Sequence, residues 1–291
     1  MIDFRPIELE DAKVIKKYLE MEYSTGCEMA FGTLFIWRKP YNYKYAIIED
    51  CLVIMSKNED NPAGLRFPVG KGNKLIAAKK ACDYMESIGE KPQFYGVTKN
   101  AVEFIKENSS EYEIQDMSAF SDYVYESEKL INLSGKKLHS KKNHLNQFKN
   151  TYNYEYCEIK SKDRDDIMSA YDGWGDFSDK YLEAERSAIS EITENIEALG
   201  LKGAMLKVDG DITAFTFGER LNCDTAVIHI EKANAEIRGA YAAINQMFVA
   251  NQWKEYKYIN REDDCGIEGL KRAKLSYRPV FMVEKFKVIR R

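Results

Sequence analysis

The first candidate for chemistry in the sequence is the polar corner at residues 260–264, Asn-Arg-Glu-Asp-Asp. It follows a short strand predicted at residues 256–260. It precedes an amphipathic helix that must end before Pro279. Five hydrogen-bonding side chains directly after a strand lie where α/β sheets usually bind ligands. The alternative is a solvated turn that leads into a capped helix.

A second candidate for binding chemistry is the basic segment 129–149, which carries six lysines and no Asp or Glu. We expect a helix from about residue 135, capped by Ser134, with a basic face beside an apolar one. The basic positions are Lys137, Lys141 and His144. The apolar positions are Leu138, Leu145 and Phe148. Lysines without acidic neighbours attract phosphate-bearing ligands, although a merely solvated helix has the same pattern.

Composition bounds the class of protein. A chain of 291 residues with 44% hydrophobic and 31% charged residues is typical of a globular protein with two domains. Its net charge of −4 gives no global reason to expect nucleic acid or membrane binding. The six cysteines show neither CxxC spacing nor a metal-ligand pattern, so we expect mostly buried free thiols and no metal. Without a signal peptide or a long apolar run, the expected location is the cytoplasm.

The predicted elements repeat along the chain. Residues 3–117 give the order β-α-α-β-β-β-α-β-α-β, with a hairpin turned near residues 49–50 and a long helix at 74–87. Residues 154–286 give the same order again, with a hairpin across residues 209–211 and a final strand at 280–286. This predicts an internal duplication. The expected domains are a first unit at 1–120, a basic connection at 121–150 and a second unit at 151–291 that carries the site.

This order resembles the GNAT-type acetyltransferase fold in tandem, an α/β fold with mixed sheets. Two runs narrow the resemblance: residues 123–144, with Leu-Ser-Gly-Lys-Lys-Leu-His, and residues 259–279, with Asn-Arg-Glu-Asp-Asp and Gly-Ile-Glu-Gly-Leu-Lys. Both are similar to an uncharacterised bacterial family related to the C-terminal catalytic domain of phosphatidylglycerol lysyltransferases. More distantly, the chain is similar to the Fem-type aminoacyltransferases. The resemblance covers essentially the whole chain.

The resemblance implies transfer of an acyl or aminoacyl group to an amine or hydroxyl. The donor is coenzyme A-bound in the acetyltransferases and tRNA-bound in the lysyltransferase and Fem relatives. The coenzyme A cradle, Gln/Arg-x-x-Gly-x-Gly/Ala, matches here only at Gly239. Glu236 and Tyr241 oppose phosphate binding, and Arg238 compensates in part. We therefore expect no cofactor, with coenzyme A disfavoured, and a phosphate-bearing partner such as aminoacyl-tRNA or an anionic phospholipid.

The implied site residues form four groups. The expected catalytic residues are Glu262, Asp263, Lys274 and Tyr277. The acids would bind the substrate amine or take its proton, and Lys274 and Tyr277, with Ser276, would donate to the oxyanion or leaving group. The expected substrate-binding residues of the cleft are Glu231, Arg261, Asn245 and Asn260. The phosphate-binding candidates of the basic helix are Lys137, Lys141, Lys142, Asn143 and His144. Those of the cradle are Arg238, Gly239 and Tyr241.

Two alternatives remain from the sequence. One is a non-catalytic protein that keeps the fold and binds a ligand. The other is a coenzyme A enzyme with an altered cradle. His229, on an alternating strand, is interpreted as structural.

Overall fold

The computed structural model describes residues 2–58, 62–175 and 180–291. The chain forms two compact units, Met1–Asp122 with Val283–Arg291, and Tyr123–Met282. These boundaries differ from the expected ones because the basic segment lies inside the second unit and the last strand belongs to the first. Within the described ranges, no helix is long and apolar enough to cross a membrane.

The first half of the chain contains seven strands and four α-helices among its described residues. In chain order they are β1 (Arg5–Pro6), α1 (Ala12–Leu19), α2 (Phe31–Ile36), β2 (Lys44–Ile48), β3 (Cys51–Ser56), β4 (Gly64–Leu65), β5 (Val69–Gly70), α3 (Lys74–Ser87), β6 (Gln93–Thr98), α4 (Lys99–Asn108) and β7 (Tyr112–Asp116). Local chemistry accounts for several bounds. The Asn73 side chain accepts a hydrogen bond from the Ile76 amide at 3.1 Å and so caps α3. Glu49 and Asp50, both with positive φ, turn the β2–β3 hairpin.

The second half follows with further helices and strands. They are β8 (Asp122–Glu126), α5 (Ser127–Asn132), α6 (His139–Thr151), β9 (Tyr154–Glu158), α7 (Arg164–Asp172), α8 (Lys180–Glu194), α9 (Ile196–Leu199), β10 (Lys202–Val208), β11 (Asp211–Arg220), β12 (Thr225–Ala233), α10 (Ala240–Gln252), β13 (Tyr258–Asn260), α11 (Glu268–Ser276), β14 (Phe281–Val283) and β15 (Lys285–Arg290). The hairpin predicted across residues 209–211 is confirmed, since β10 pairs antiparallel with β11.

Two mixed sheets result, and each receives a strand that sequence order does not anticipate. The first sheet has the order β1-β2-β3-β4-β6-β15-β7, with β5 also paired to β3. The second has the order β14-β8-β13-β12-β11-β10-β9. The expected single strand at 280–286 is therefore wrong. That stretch contains β14 of the second sheet and the start of β15, which inserts between β6 and β7.

The basic helix begins later than predicted. A 3-10 turn at Lys136–Leu138 precedes α6, and Ser134 does not cap it. The apolar face is confirmed, since Leu138, Leu145 and Phe148 are buried in the core of the second unit. Phe248 of α10 is in the same core. Burial of this face fixes α6 against α10.

A close approach between the two helices depends on Gly239. Its φ is +88°, and a Cβ there would lie 2.3 Å from the carbonyl oxygen of His144. Because that oxygen belongs to the α6 backbone, it cannot move aside cheaply. The N-terminus of α10 therefore packs directly on α6.

This packing predicts that Gly239→Ala destabilises the second unit more than a matched substitution does. Gly135→Ala is the control, because Gly135 has φ +89° but open space around its Cβ position. Both variants incur the left-handed backbone cost of about 1–2 kcal/mol, and only Gly239→Ala adds overpacking of about 1–3 kcal/mol. Urea unfolding followed by circular dichroism measures the difference. Equal losses for the two variants would contradict the packing argument.

Candidate functional site

The candidate site lies where two parallel strands part. β12 and β13 are paired only at Thr225–Tyr258, Ala226–Ile259 and Val227–Asn260. β13 then ends, while β12 continues to Ala233. The polar corner 261–264 therefore leaves the sheet beside the unpaired edge of β12. This is the strand end that the sequence predicted for the site.

A β-bulge in β12 turns His229 toward the corner. Phe217 pairs with Ile230 and Gly218 with Ile228, so His229 is the extra residue. Its Nδ1 lies 2.8 Å from Glu262 Oε1, and its Nε2 lies 3.0 Å from Glu219 Oε1. The imidazole is therefore held between two carboxylates.

These carboxylates make His229 a buried cation. Burial opposes the charge of the ring, but the hydrogen bonds to Glu219 and Glu262 outweigh it and raise the pKa of His229 to about 9. At neutral pH the ring donates to both acids. Glu262, expected to be catalytic, is thus bound to a partner that balances its charge, and its backbone has a positive φ of 57°.

Lys274 holds the backbone of the corner. Its Nζ donates to the carbonyl oxygens of Arg261 at 2.6 Å, Glu262 at 3.2 Å and Asp263. The residue is 8% exposed, and burial lowers its pKa. An ammonium has three donors, and the corner uses all three. The geometry therefore assigns Lys274 to positioning the corner and not to the oxyanion role expected from the sequence.

Other side chains complete the corner. The Tyr123 hydroxyl donates to Asp264 Oδ2 at 2.5 Å, and Asp264 Oδ1 accepts from the Gly266 amide at 2.9 Å. Asn260 is fully buried, and its Oδ1 accepts from the Glu262 amide at 2.6 Å. Asn260 thus shapes the turn and does not present its amide to a substrate.

A second cluster lies at the first corner residue. Arg261 Nη2 donates to Glu231 Oε1 at 2.8 Å, and Asn245 Nδ2 donates to Glu231 Oε2 at 2.9 Å. Arg261 Nη1 and Asn245 Oδ1 are buried and have no hydrogen-bond partner among the described residues. The structure therefore joins three predicted substrate-binding residues and leaves one donor and one acceptor unused.

Lys141 adds a second cation to this cluster. Its Nζ lies 4.4 Å from the centre of the Tyr277 ring, and the Arg261 guanidinium carbon lies 4.8 Å from the same centre. Burial and then the charge of Arg261 lower the pKa of Lys141. No carboxylate forms an ion pair with Lys141 within the described part of the chain. Two cations and the single carboxylate of Glu231 leave the cluster positively charged.

Tyr277 is a buried platform for these cations and not an exposed donor. It is 6% exposed, and burial raises the pKa of its hydroxyl to about 12. Ser276 Oγ donates to the Ala273 carbonyl at 2.5 Å, so it too is used locally. The oxyanion donors expected on α11 are thus not directed to a common site.

The remaining predicted residues are dispersed. Lys137, Lys142 and Asn143 are exposed, and His144 is half-buried. Tyr241 is 47% exposed, and the Arg238 amide donates to the Tyr152 hydroxyl at 3.3 Å. Of the basic segment, Lys141 alone joins the cluster around Glu231, while Lys129 pairs with Glu126 at 2.6 Å.

Sequence reasoning missed several positioning residues of the site. Tyr123, Glu219 and Asp264 were not assigned roles, and His229 was interpreted as structural without its acidic partners. Helical or strand periodicity carries no signal for such contacts, because they join positions up to 141 residues apart.

The first unit contains a group that has the donor atoms of a metal site. Cys27, Glu28 and Asp122 present ligand atoms within 4.8 Å of one another. The Lys285 ammonium lies 2.7 Å from Glu28 Oε1 and 2.6 Å from Asp122 Oδ1. A metal ion would therefore have to displace this cation, so the donor set does not fit a metal as it stands.

The cysteines are free, as expected, but fewer are buried than predicted. Cys27, Cys51 and Cys82 are buried, Cys157 is half-buried, and Cys223 and Cys265 are exposed.

Comparison with solved structures defines the fold class. The structure of FemX superposes on 98% of this chain over 96% of its own length, with a TM-score of 0.60 and 7% sequence identity. A tandem GNAT protein from the clavulanic acid biosynthesis pathway gives a TM-score of 0.52 at 8% identity over 100% of this chain and 98% of that one. L-PGS from Bacillus licheniformis gives a TM-score of 0.68 at 14% identity, over 98% of this chain and 92% of that one. The fold is therefore a tandem GNAT fold, as the element order predicted.

Sequence comparison narrows the class to a family. The model for the family "Phosphatidylglycerol lysyltransferase, C-terminal" matches residues 22–289, so the chain belongs to this family. A conserved protein of unknown function from Bacteroides thetaiotaomicron is 34% identical over the full length of both chains, with a TM-score of 0.93. An uncharacterised protein of Mycoplasmoides gallisepticum is 28% identical over 185 residues, 62% of this chain and 59% of the relative.

The clamp by Lys274 predicts a large loss of stability in Lys274→Met. Three corner carbonyls would lose a charged donor, which we expect to cost about 2–4 kcal/mol of unfolding free energy. Lys271→Met, on the exposed face of the same helix, is the control and should change it by less than about 0.5 kcal/mol. Urea denaturation measures both. A near-neutral Lys274→Met would show that the corner does not depend on this ammonium.

The contacts of His229 with Glu219 and Glu262 predict that the free energy of unfolding depends on pH above neutrality. Its folded pKa of about 9 exceeds the ordinary 6.5, so this contribution is fully present below about pH 6.5 and is lost as pH rises through about 9. His229→Gln removes the titrating group and should flatten the pH dependence in that window. His139→Gln, at an exposed histidine, should keep the dependence of the native chain. Urea denaturation across this pH range measures the dependence. An unchanged slope of unfolding free energy against pH in His229→Gln would show that the His229 cation does not stabilise the fold.

Proposed function

We propose that the second unit transfers an aminoacyl group from aminoacyl-tRNA to an amine or hydroxyl acceptor. The observation that carries this proposal is that the lysines on and beside α6 differ in their exposure to solvent. Lys137 and Lys142 are exposed, whereas Lys141 turns inward to the Tyr277 ring beside Arg261. The exposed lysines of this segment are thus suited to bind the phosphates of a tRNA, and the inward Lys141 is suited to contact the aminoacyl ester. Membership of the lysyltransferase family supports a transfer reaction of this class.

The proposed reaction needs a site for an oxyanion. The nucleophilic nitrogen or oxygen of the acceptor forms a new bond to the ester carbonyl carbon, whose oxygen becomes negative. The ester C–O bond then breaks, and the ribose hydroxyl of the tRNA takes the proton that the nucleophile releases. Arg261 Nη1 is an unused buried donor, and Lys141 adds an unpaired ammonium. We assign these two groups to stabilising the oxyanion, in place of Lys274 and Tyr277.

Asp263 is the proposed carboxylate for the acceptor amine and its proton. Its Oδ1 accepts from the Cys265 amide at 2.8 Å, and its second carboxylate oxygen is not hydrogen-bonded within the described residues. Glu262 is less suited, because its carboxylate is bound to the His229 cation. We therefore assign proton transfer to Asp263 and positioning to Glu262.

The start of α10 supports a tRNA-bound donor over coenzyme A. In the GNAT cradle, the amides at this helix start must face phosphate. Here the His144 carbonyl lies against Gly239, so backbone of α6 covers that position. An aminoacyl-tRNA donor also places the reaction in the cytoplasm. For the acceptor we propose phosphatidylglycerol, after the name of the family, or a small amine.

The test is a transfer assay with the intact chain. Aminoacyl-tRNAs carrying radiolabelled amino acids are incubated with phosphatidylglycerol vesicles or with a mixture of primary amines, and label in the lipid or amine is measured. We expect transfer, and a fall of about 10²–10³-fold in rate for Arg261→Met and for Lys141→Met. Charge reversal in the double variant Lys137→Glu with Lys142→Glu should raise the KM for aminoacyl-tRNA about tenfold.

A matched control for the charge reversal is Lys162→Glu with Lys254→Glu, at exposed lysines of the second unit outside the basic segment. It should leave KM close to that of the native chain. Absence of transfer from every aminoacyl-tRNA, with tRNA binding retained, would favour the non-catalytic binding protein. Transfer from acetyl-coenzyme A instead would favour the altered-cradle enzyme.

A further inference from the structure

Two unpartnered polar atoms flank one half-buried carboxylate, that of Glu231. Glu231 receives Arg261 Nη2 on one oxygen and Asn245 Nδ2 on the other. Arg261 Nη1 and Asn245 Oδ1 are each buried without a hydrogen-bond partner among the described residues. A buried polar atom that lacks a partner costs free energy, so such atoms are uncommon unless a ligand or water meets them.

The orientation of Asn245 is fixed by chemistry. A carboxylate only accepts hydrogen bonds, so the NH₂ group of the amide must face Glu231 and the oxygen must face away. The side chain is fully buried, and its Oδ1 is therefore a committed acceptor. A ligand that meets Asn245 must donate a hydrogen bond, which a carboxylate or a phosphodiester anion cannot do.

The opposite requirement holds at Arg261. Its guanidinium is held against Glu231 and over the Tyr277 ring, so the unused Nη1 is a fixed donor. Lys141 adds an ammonium over the same ring. A ligand group here must accept hydrogen bonds, as a carbonyl or carboxyl oxygen does.

We infer that the Arg261–Glu231–Asn245 cluster is the subsite for the α-amino and carbonyl groups of an aminoacyl ligand. The α-ammonium donates to Asn245 Oδ1 and is attracted by Glu231, and the carbonyl oxygen accepts from Arg261 Nη1 and Lys141 Nζ. An α-amino acid derivative carries these two groups on adjacent carbons, which suits two side chains bound to one carboxylate. This inference rests on the proposed function and names the group that the donor presents.

The subsite can be tested without any transfer reaction. Amides of the standard L-amino acids are stable analogues of the ester, and isothermal titration measures their binding to the intact chain. We expect at least one amide to bind, and its analogue that lacks the α-amino group to bind at least about tenfold more weakly. This comparison uses the native protein, so it does not depend on whether a variant folds.

Variants locate the binding. Asn245→Leu and Arg261→Lys should each weaken the amide about tenfold or more. Gln246→Leu is the matched control, because Gln246 is the neighbouring amide on α10 but donates to the Ile131 carbonyl at 3.1 Å and not to Glu231. It should leave binding unchanged.

The outcomes separate this inference from the proposed function. Equal binding of the analogue without the amino group, undiminished binding in folded Asn245→Leu, or binding of none of the amides would overturn the subsite. Amide binding with the expected variant pattern, but no transfer from aminoacyl-tRNA, would uphold the subsite and reject the transferase. Transfer that proceeds unchanged in Asn245→Leu would uphold the transferase and reject the subsite.

Discussion

The second unit depends on one buried ammonium that grips a polar turn. Lys274 reaches from α11 to three successive carbonyl oxygens of the corner, whose backbone is also hydrogen-bonded at Arg261 and Glu262 to Tyr123 of β8. Because these carbonyls share one buried charged donor that belongs to α11, the helix and the corner are bound into one structure. The positions of Arg261, Glu262 and Asp263 follow from this contact. The other residues of α11 are largely exposed, so the helix is held mainly at Lys274, whose carbonyl oxygen also accepts from the Tyr125 hydroxyl at 2.8 Å.

Charge is distributed unevenly around the corner. On one side, the His229 cation lies between the carboxylates of Glu219 and Glu262, so its charge is matched by acids. On the other, Lys141 and Arg261 share one ring and a single carboxylate, so that side carries an excess of positive charge. Both partners of the corner on β12, His229 and Glu231, lie beyond the point where β12 and β13 part. The bulge turns His229 toward Glu262, and the end of β13 leaves the edge of β12 open beside Arg261. Two separate clusters therefore form at the corner.

Local chemistry made much of the fold predictable. α3 was predicted with its observed bounds, and the two hairpin turns, the buried face of α6 and the tandem element order also followed from pattern. The site was less predictable. Residues 261–264 were correctly placed after a strand, yet Lys274 and Tyr277 looked like functional donors because their burial depends on distant neighbours. The bulge at His229 could not be predicted from the sequence, since it is defined by the register of β12 against β11 and not by the residues of β12 alone.

The sequence by itself determined the elements, their order and the two polar segments, because helix period, strand alternation, caps and turn residues act over a few positions. It also determined that a polar corner follows β13. Only the tertiary structure decided that β15 enters the first sheet, that Lys141 turns inward while its neighbours stay exposed, and that Glu231 joins Arg261 to Asn245. These outcomes depend on which distant side chains bury one another, and on how many donors and acceptors remain once they have done so.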